Sequence, residues 1–143
     1  MTDSLALPDL AATTALAARL AARLRPGMAV LLEGPLGAGK TEFARAVLRA
    51  LVADPALEVP SPTFTLVQSY DTPRGPVHHL DLWRLSGPGG LDELGWDELL
   101  DDIVLVEWPD RLGPWRPAKA ITVALSHHGE TSRQAVISGW DGR

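Results

Sequence analysis

The feature that most constrains the fold of this chain is a glycine-rich segment near its N-terminal third. Gly34 to Thr41 reads GPLGAGKT and matches the phosphate-loop pattern G-x-x-x-x-G-K-[ST]. It lies between a short apolar run, Met28 to Glu33, and Lys40 to Val52, whose apolar residues have helical spacing. Glycines let successive backbone N–H groups point inward, and the start of a helix adds partial positive charge. The pattern therefore predicts a buried strand, a phosphate-binding loop and a helix, in this order.

The loop supplies the first candidate site residues. Lys40 is expected to reach the β and γ phosphates of a nucleotide, and the Thr41 hydroxyl to bind Mg²⁺. The alternative is an ordinary glycine-rich turn with a surface lysine. The residues expected to bind a nucleotide with Mg²⁺ are Gly34, Leu36, Gly37, Ala38, Gly39, Lys40, Thr41 and Glu42.

The rest of the chain alternates helical and strand patterns. A helix is expected over Leu10 to Leu24 with Asp9 as its N-cap, and an acidic helix around Leu91 to Leu100. Strands are expected at Phe64 to Tyr70, Val77 to Leu82, Ile103 to Glu107, Ile121 to Ser126 and Gln134 to Ser138. Apolar strands mixed with helices favour an α/β fold, and the two hairpins imply a mixed sheet. With the phosphate loop, this predicts a three-layer P-loop NTPase whose sheet has a parallel core plus antiparallel hairpin strands.

Composition bounds the organisation and the function. A length of 143 residues predicts a single domain over residues 1–143. The absence of cysteine excludes disulfides, thiol-bound metals and thiolate nucleophiles, and the net charge of -5 argues against a nucleic-acid coat protein. No apolar run is long enough to span a membrane. Met1 to Ser4 lacks a basic signal-peptide region, so a cytoplasmic location is expected.

Two acids end apolar strand segments and are candidate metal ligands. Asp81 follows Val77 to Leu80, and Glu107 follows Ile103 to Val106. Ligands of open α/β sheets bind at the carboxyl ends of the strands, and P-loop enzymes use an acid there on the metal side. The alternative is a turn or capping role, and the spacing alone does not say which acid binds the metal. His79 shares the face of Asp81, whereas His78 points to the other face.

Four separated blocks together resemble the TsaE (YjeE) family of bacterial P-loop ATPases in tRNA threonylcarbamoyladenosine synthesis. They are GPLGAGKTEFAR from Gly34, SPTFTLV from Ser61, HLDLWRL from His79 and LVEWPDR from Leu105. The resemblance covers most of Ala29 to Arg111, and the second and fourth blocks are specific to that family.

The resemblance implies roles for individual residues. Thr63 is similar to a switch residue that senses the γ-phosphate, and Asp81 to the family's metal-side aspartate. Glu107 is similar to a glutamate that positions the attacking water, and Trp108 to a tryptophan beside the nucleotide. The implied catalytic set is Glu107, Lys40 and Thr63, and the implied metal ligands are Thr41, Asp81 and Glu107. The chain departs from the family at Trp83, where tyrosine is common, and at Glu42, where a second hydroxyl is common.

The resemblance also implies partners and a function. Such proteins act with a TsaD-type threonylcarbamoyl transferase and its TsaB-type paralogue, and ATP hydrolysis supports that complex in modifying adenosine 37 of tRNA. The expected hydrolysis is weak without the partners, and contact with tRNA is expected to be indirect. Two alternatives stay open: a small-molecule kinase on the same fold, and a module that binds ATP without hydrolysing it.

Overall fold

The computed structural model describes residues 2–62, 65–85, 88–129 and 132–140. Within them, seven strands form one sheet: β1 (Thr2–Leu7), β2 (Ala29–Glu33), β3 (Val67–Thr72), β4 (Gly75–Asp81), β5 (Ile103–Glu107), β6 (Ala120–His127) and β7 (Arg133–Ser138). Their order across the sheet is β1-β7-β6-β2-β5-β4-β3. The central strand β2 is parallel to β5 and β6, and β4 is parallel to β5. The pairs β3–β4, β6–β7 and β1–β7 are antiparallel. The predicted mixed α/β sheet is therefore confirmed.

The helices flank this sheet. They are α1 (Leu10–Ala21), α2 (Lys40–Val52), α3 (Leu91–Leu94) and α4 (Trp96–Leu99). The Asp9 side chain caps α1 as predicted, by accepting a hydrogen bond of 2.9 Å from the Ala12 N–H. No helix in the described part of the chain has the length and apolarity to cross a membrane.

Strands β4, β6 and β7 differ from the expected bounds by one or two residues, and three other boundaries differ for local reasons. Helix α1 ends before Leu24 because Arg23 and Leu24 make tighter bonds to residues three positions back. The acidic helix is divided into α3 and α4 at Gly95, which has a φ of 71°. Strand β3 begins at Val67 because Leu66 adopts a left-handed backbone. The predicted strand start at Phe64 lies outside the described residues.

Two apolar layers cover the two faces of the sheet. One contains buried residues of α1 and α2, such as Leu20, Phe43 and Leu48. The other contains Leu91 of α3, Trp96 of α4 and Leu112 of the 3-10 segment Pro109–Trp115. Strands β2 and β5 contribute alternate residues to both layers, as their continuous apolar runs predict. The parallel arrangement brings the carboxyl ends of β2, β4 and β5 to one edge, where the loop after β2 begins.

The edge strand β1 was not predicted. Its side chains are mostly exposed or half-buried, and only Leu7 is fully buried. An edge strand of this kind lacks the apolar run or strict alternation that identifies a strand in a sequence. Backbone pairing with β7, from Thr2↔Ser138 to Leu7↔Arg133, holds it in the sheet.

Candidate functional site

The glycine-rich loop joins β2 to α2 and needs glycine for two reasons. Gly34, Gly37 and Gly39 have φ values of 147°, 80° and 101°, which side-chain-bearing residues rarely adopt. A Cβ on Gly34 would also overlap the Leu125 carbonyl oxygen of β6. Gly39 caps α2 with no side-chain hydrogen bond to the first-turn N–H groups. The loop thus lies tightly against the sheet and presents the uncapped start of a helix of 13 residues.

The Lys40 ammonium group folds back over its own loop. The side chain is buried, and its Nζ donates hydrogen bonds of 2.5 Å to Gly34 O and 3.0 Å to Pro35 O. Nζ also lies 3.7 Å from the ring centroid of Trp108. Burial lowers the pKa of Lys40 below its ordinary value, and the nearby carboxylates of Glu107 and Asp81 oppose this. The Lys40 ammonium group therefore places a positive charge at the loop that is expected to bind phosphate.

The Thr41 hydroxyl and the Glu107 carboxylate meet directly. Thr41 Oγ1 donates a hydrogen bond of 2.7 Å to Glu107 Oε1, although the two residues are far apart in sequence. Asp81 is paired in register with Glu107 on the neighbouring parallel strand, so both acids stand at the same sheet edge. Asp81 Oδ1 accepts a hydrogen bond of 3.0 Å from the Trp83 N–H. The structure thus brings the three predicted metal ligands to one place.

A histidine lies behind this carboxylate. His79 on β4 is completely buried, and its Nε2 is 2.7 Å from Glu107 Oε2. His78 points to the opposite face of the strand, where its ring nitrogens contact Asp102 Oδ2 and Ser69 Oγ. The predicted alternation of the two histidines is confirmed.

Two tryptophans form one wall of the site. The ring centroids of Trp83 and Trp108 are 4.4 Å apart, at an interplanar angle of 42°. Trp108 directly follows β5 and has a left-handed backbone, with φ 59° and ψ 53°. This conformation is strained for a bulky residue, and such strain is concentrated at functional sites. The Trp108 ring contacts both Trp83 and the Lys40 ammonium group.

These groups surround a cavity of about 430 Å³. Its lining includes nine predicted or discussed positions, namely Leu36, Gly37, Gly39, Lys40, Thr41, Glu42, Asp81, Glu107 and Trp108, together with Ser61, Trp83 and Arg133. Gly34 and Ala38 are not in the lining, and Gly34 contributes its carbonyl to Lys40. The predicted switch residue Thr63 lies outside the described residues.

Arg133 is the site residue that the sequence did not reveal. It begins β7 and lines the cavity, and a Cβ on Gly39 would lie 3.8 Å from its Nε. This Nε is buried and has no hydrogen-bond partner among the described residues. No local motif surrounds Arg133, because its position at the loop results from the pairing of β6 with β7 and β2. Its only sequence signal is a charge at the start of a strand.

Known proteins resemble this chain over most of its length. The family model "Threonylcarbamoyl adenosine biosynthesis protein TsaE" matches residues 7–135. A "tRNA threonylcarbamoyladenosine biosynthesis protein TsaE" from Nostoc sp. is 39% identical over 138 residues, covering 92% of this chain and 83% of that protein. The protein with the same description from Bacillus subtilis is 31% identical and covers 88% and 78% of the two chains.

A solved structure agrees with these matches. The crystal structure of Bacillus subtilis YdiB superimposes with a TM-score of 0.78 at 26% identity, covering 96% of this chain and 84% of that chain. The family model, the two relatives and the fold all correspond to the resemblance in the four sequence blocks. This chain belongs to the TsaE family.

Proposed function

We propose that this protein binds ATP with Mg²⁺ and hydrolyses it in support of threonylcarbamoyl transfer to tRNA. The observation that carries the proposal is the 2.7 Å contact between Thr41 Oγ1 and Glu107 Oε1. It joins the loop's hydroxyl to a strand-end carboxylate, beside a buried lysine. A hydroxyl, a carboxylate and a cation around one cavity are the parts that P-loop ATPases use.

The residues present fit a magnesium ion held jointly with phosphates. The described residues contain no group of three or more His, Asp or Glu side chains that could hold a metal ion. Adjacent ligands of an octahedral Mg²⁺ lie about 3 Å apart, since each is about 2.1 Å from the ion. The 2.7 Å between Thr41 Oγ1 and Glu107 Oε1 is close to that spacing. We propose Thr41 and Glu107 as ligands with Asp81 beside them; the ion, when bound, would neutralise charge on the phosphates.

The protein groups have separate tasks in this proposal. The loop amides and Lys40 bind the triphosphate, for which the Lys40 ammonium leaves the carbonyls of Gly34 and Pro35. Glu107 orients the attacking water by accepting its hydrogen bond. Trp108 covers the phosphate side of the cavity, and Thr63 senses the γ-phosphate. Arg133, which lines the cavity, adds positive charge.

We further propose where and with what the protein works. The names of its relatives refer to tRNA threonylcarbamoyladenosine biosynthesis, which supports a place in the same pathway. We propose a TsaD-type transferase and a TsaB-type paralogue as partners, slow hydrolysis without them, and a cytoplasmic location. The net charge of -5 supports indirect contact with tRNA, because a polyanion is repelled by an acidic protein.

The test replaces Glu107 by glutamine and measures ATP hydrolysis and ATP binding, with Mg²⁺ and with EDTA. Hydrolysis by Glu107→Gln should fall at least about a hundredfold while binding persists, because the amide cannot replace a carboxylate that orients water. Glu33→Gln is the matched control. Glu33 also ends a central parallel strand, but it pairs with Arg116 at 2.9 Å and does not line the cavity.

The outcomes separate the alternatives. ATP binding without magnesium-dependent hydrolysis, even with both partners present, would support a binding module instead. Transfer of the γ-phosphoryl group to a small hydroxyl compound would support the kinase. Equal rates in wild type and Glu107→Gln would remove Glu107 from the mechanism.

A further inference from the structure

The Glu107 carboxylate is held at both of its oxygens. Thr41 Oγ1 donates to Oε1, and His79 Nε2 contacts Oε2, each at 2.7 Å. Glu107 and His79 are buried, with 2% and 0% of their surfaces exposed. Two protein groups therefore hold this carboxylate in its orientation.

The strand register explains how His79 reaches Glu107. On the parallel pair β4–β5, His79 is opposite Leu105 and Asp81 is opposite Glu107. His79 and Asp81 are two residues apart and so share one face of β4. The His79 ring therefore extends along this face to a carboxylate two positions further along the neighbouring strand.

The position of the proton on the His79 ring determines which group donates the hydrogen bond. An ionised carboxylate only accepts hydrogen bonds, so the ring nitrogen that faces it must carry a proton. The other nitrogen, Nδ1, is buried and has no partner among the described residues. A buried acceptor without a partner is tolerated better than a buried N–H without one. The arrangement therefore fits a ring that carries its proton on Nε2 and donates it to Glu107.

We propose that His79 is a positioning residue that fixes the rotation of the Glu107 carboxylate. Its hydrogen bond to Oε2 directs Oε1 towards Thr41, and so towards the phosphates. When the Thr41 hydroxyl contacts a bound nucleotide, its hydrogen bond to Oε1 is lost and the hydrogen bond from His79 to Oε2 remains. This inference rests on the proposed function, in which Glu107 works during hydrolysis.

The first test compares two variants that differ in the donor. Both His79→Met and His79→Gln place an uncharged, unbranched side chain at the position, but only glutamine keeps an N–H at its end. We expect His79→Met to lower kcat about 10- to 100-fold, as loss of a supporting hydrogen bond does in metal sites, with ATP affinity unchanged within about twofold. His79→Gln should recover most of the rate.

His78→Met is the matched control, because His78 is the adjacent buried histidine on the other face and is bonded to Asp102 and Ser69. It should lower the melting temperature and leave kcat unchanged. The proposal is overturned if His79→Met hydrolyses ATP at the wild-type rate, if His79→Gln is as slow as His79→Met, or if His78→Met is equally slow.

The second test needs neither activity nor nucleotide. Nitrogen-15 NMR of the histidine rings in the free protein should show His79 with its proton on Nε2, and Glu107→Gln should shift that resonance. A proton on Nδ1, or a resonance insensitive to Glu107→Gln, overturns the inference even if the His79 variants fail to fold. Absence of hydrolysis by the wild type, with this NMR signature present, would instead contradict the proposed function.

Discussion

At the scale of single residues, Lys40 determines the electrostatics of the site. Its side chain is buried, and its ammonium group contacts two loop carbonyls and the Trp108 ring. Burial lowers the pKa of Lys40, and the carboxylates of Glu107 and Asp81 reduce this effect. A lysine in this state is prepared for an anion, because a phosphate would replace carbonyl dipoles with full negative charge.

This state predicts proton uptake when ATP binds at alkaline pH. In the free protein, Lys40 loses its proton as the pH rises through its lowered pKa. Bound triphosphate raises that pKa, so the complex binds more protons than the free protein, and the affinity for ATP must fall as the pH rises through this window. Calorimetry in two buffers of different ionisation enthalpy, at alkaline pH below the ordinary lysine pKa of 10.5, measures the uptake. In that range the phosphates of the nucleotide no longer titrate. A pH-independent affinity there would contradict the prediction.

At the scale of elements, the unit β2–loop–α2 functions because it is packed tightly against β6. The Gly34 position leaves no room for a Cβ beside the Leu125 carbonyl, so the loop begins in direct contact with the neighbouring strand. Phe43, Val47 and Leu48 of α2 are completely buried and fix the helix on the sheet. The positions of the loop amides therefore depend on this packing and not on the loop alone.

The contribution of this contact can be measured with two glycine variants. Gly27 and Gly34 both have positive φ, but a Cβ on Gly27 would have open space around it. Gly27→Ala should cost about 1–2 kcal/mol of unfolding free energy from the backbone conformation. Gly34→Ala should cost about 1–3 kcal/mol more, because the carbonyl must move, and should weaken ATP binding. Urea unfolding tests this, and equal losses in the two variants would show that the close contact is unimportant.

At the scale of the whole molecule, the site is assembled from distant parts of the chain. The loop after β2, the ends of β4 and β5 and the start of β7 each contribute residues, and one sheet holds them together. A nucleotide bound at this junction would stabilise all of these elements at once. The organisation of residues 1–143 as a single domain stays a prediction.

Binding of ATP should therefore raise the melting temperature. At a free concentration of about 100 times Kd, a ligand specific for the folded state adds about 2.7 kcal/mol, which corresponds to about 8 °C for a protein of this size. Thermal scans with ATP, with and without Mg²⁺, measure this shift. EDTA should reduce it, whereas a shift of the same size without the metal would contradict a role for Mg²⁺ in binding.

The sequence by itself determined the local units of this protein. The phosphate loop, helix α2 and strand β5 were predicted with their observed limits, since each depends on neighbouring residues: glycines for the turn, helical spacing for α2 and a continuous apolar run for β5. The mixed sheet followed from the two hairpins. These features are encoded over a few residues and can be identified without knowledge of the rest of the chain.

Only the tertiary structure decided which side chains meet. The bonds of Glu107 to Thr41 and His79 join residues 66 and 28 positions apart, and Arg133 reaches the loop through the pairing of β7 with β6. Strand β1 likewise exists because β7 offers it an edge. Contacts of this kind depend on strand order and register, which arise when distant segments pack together, and no short stretch of sequence contains that information.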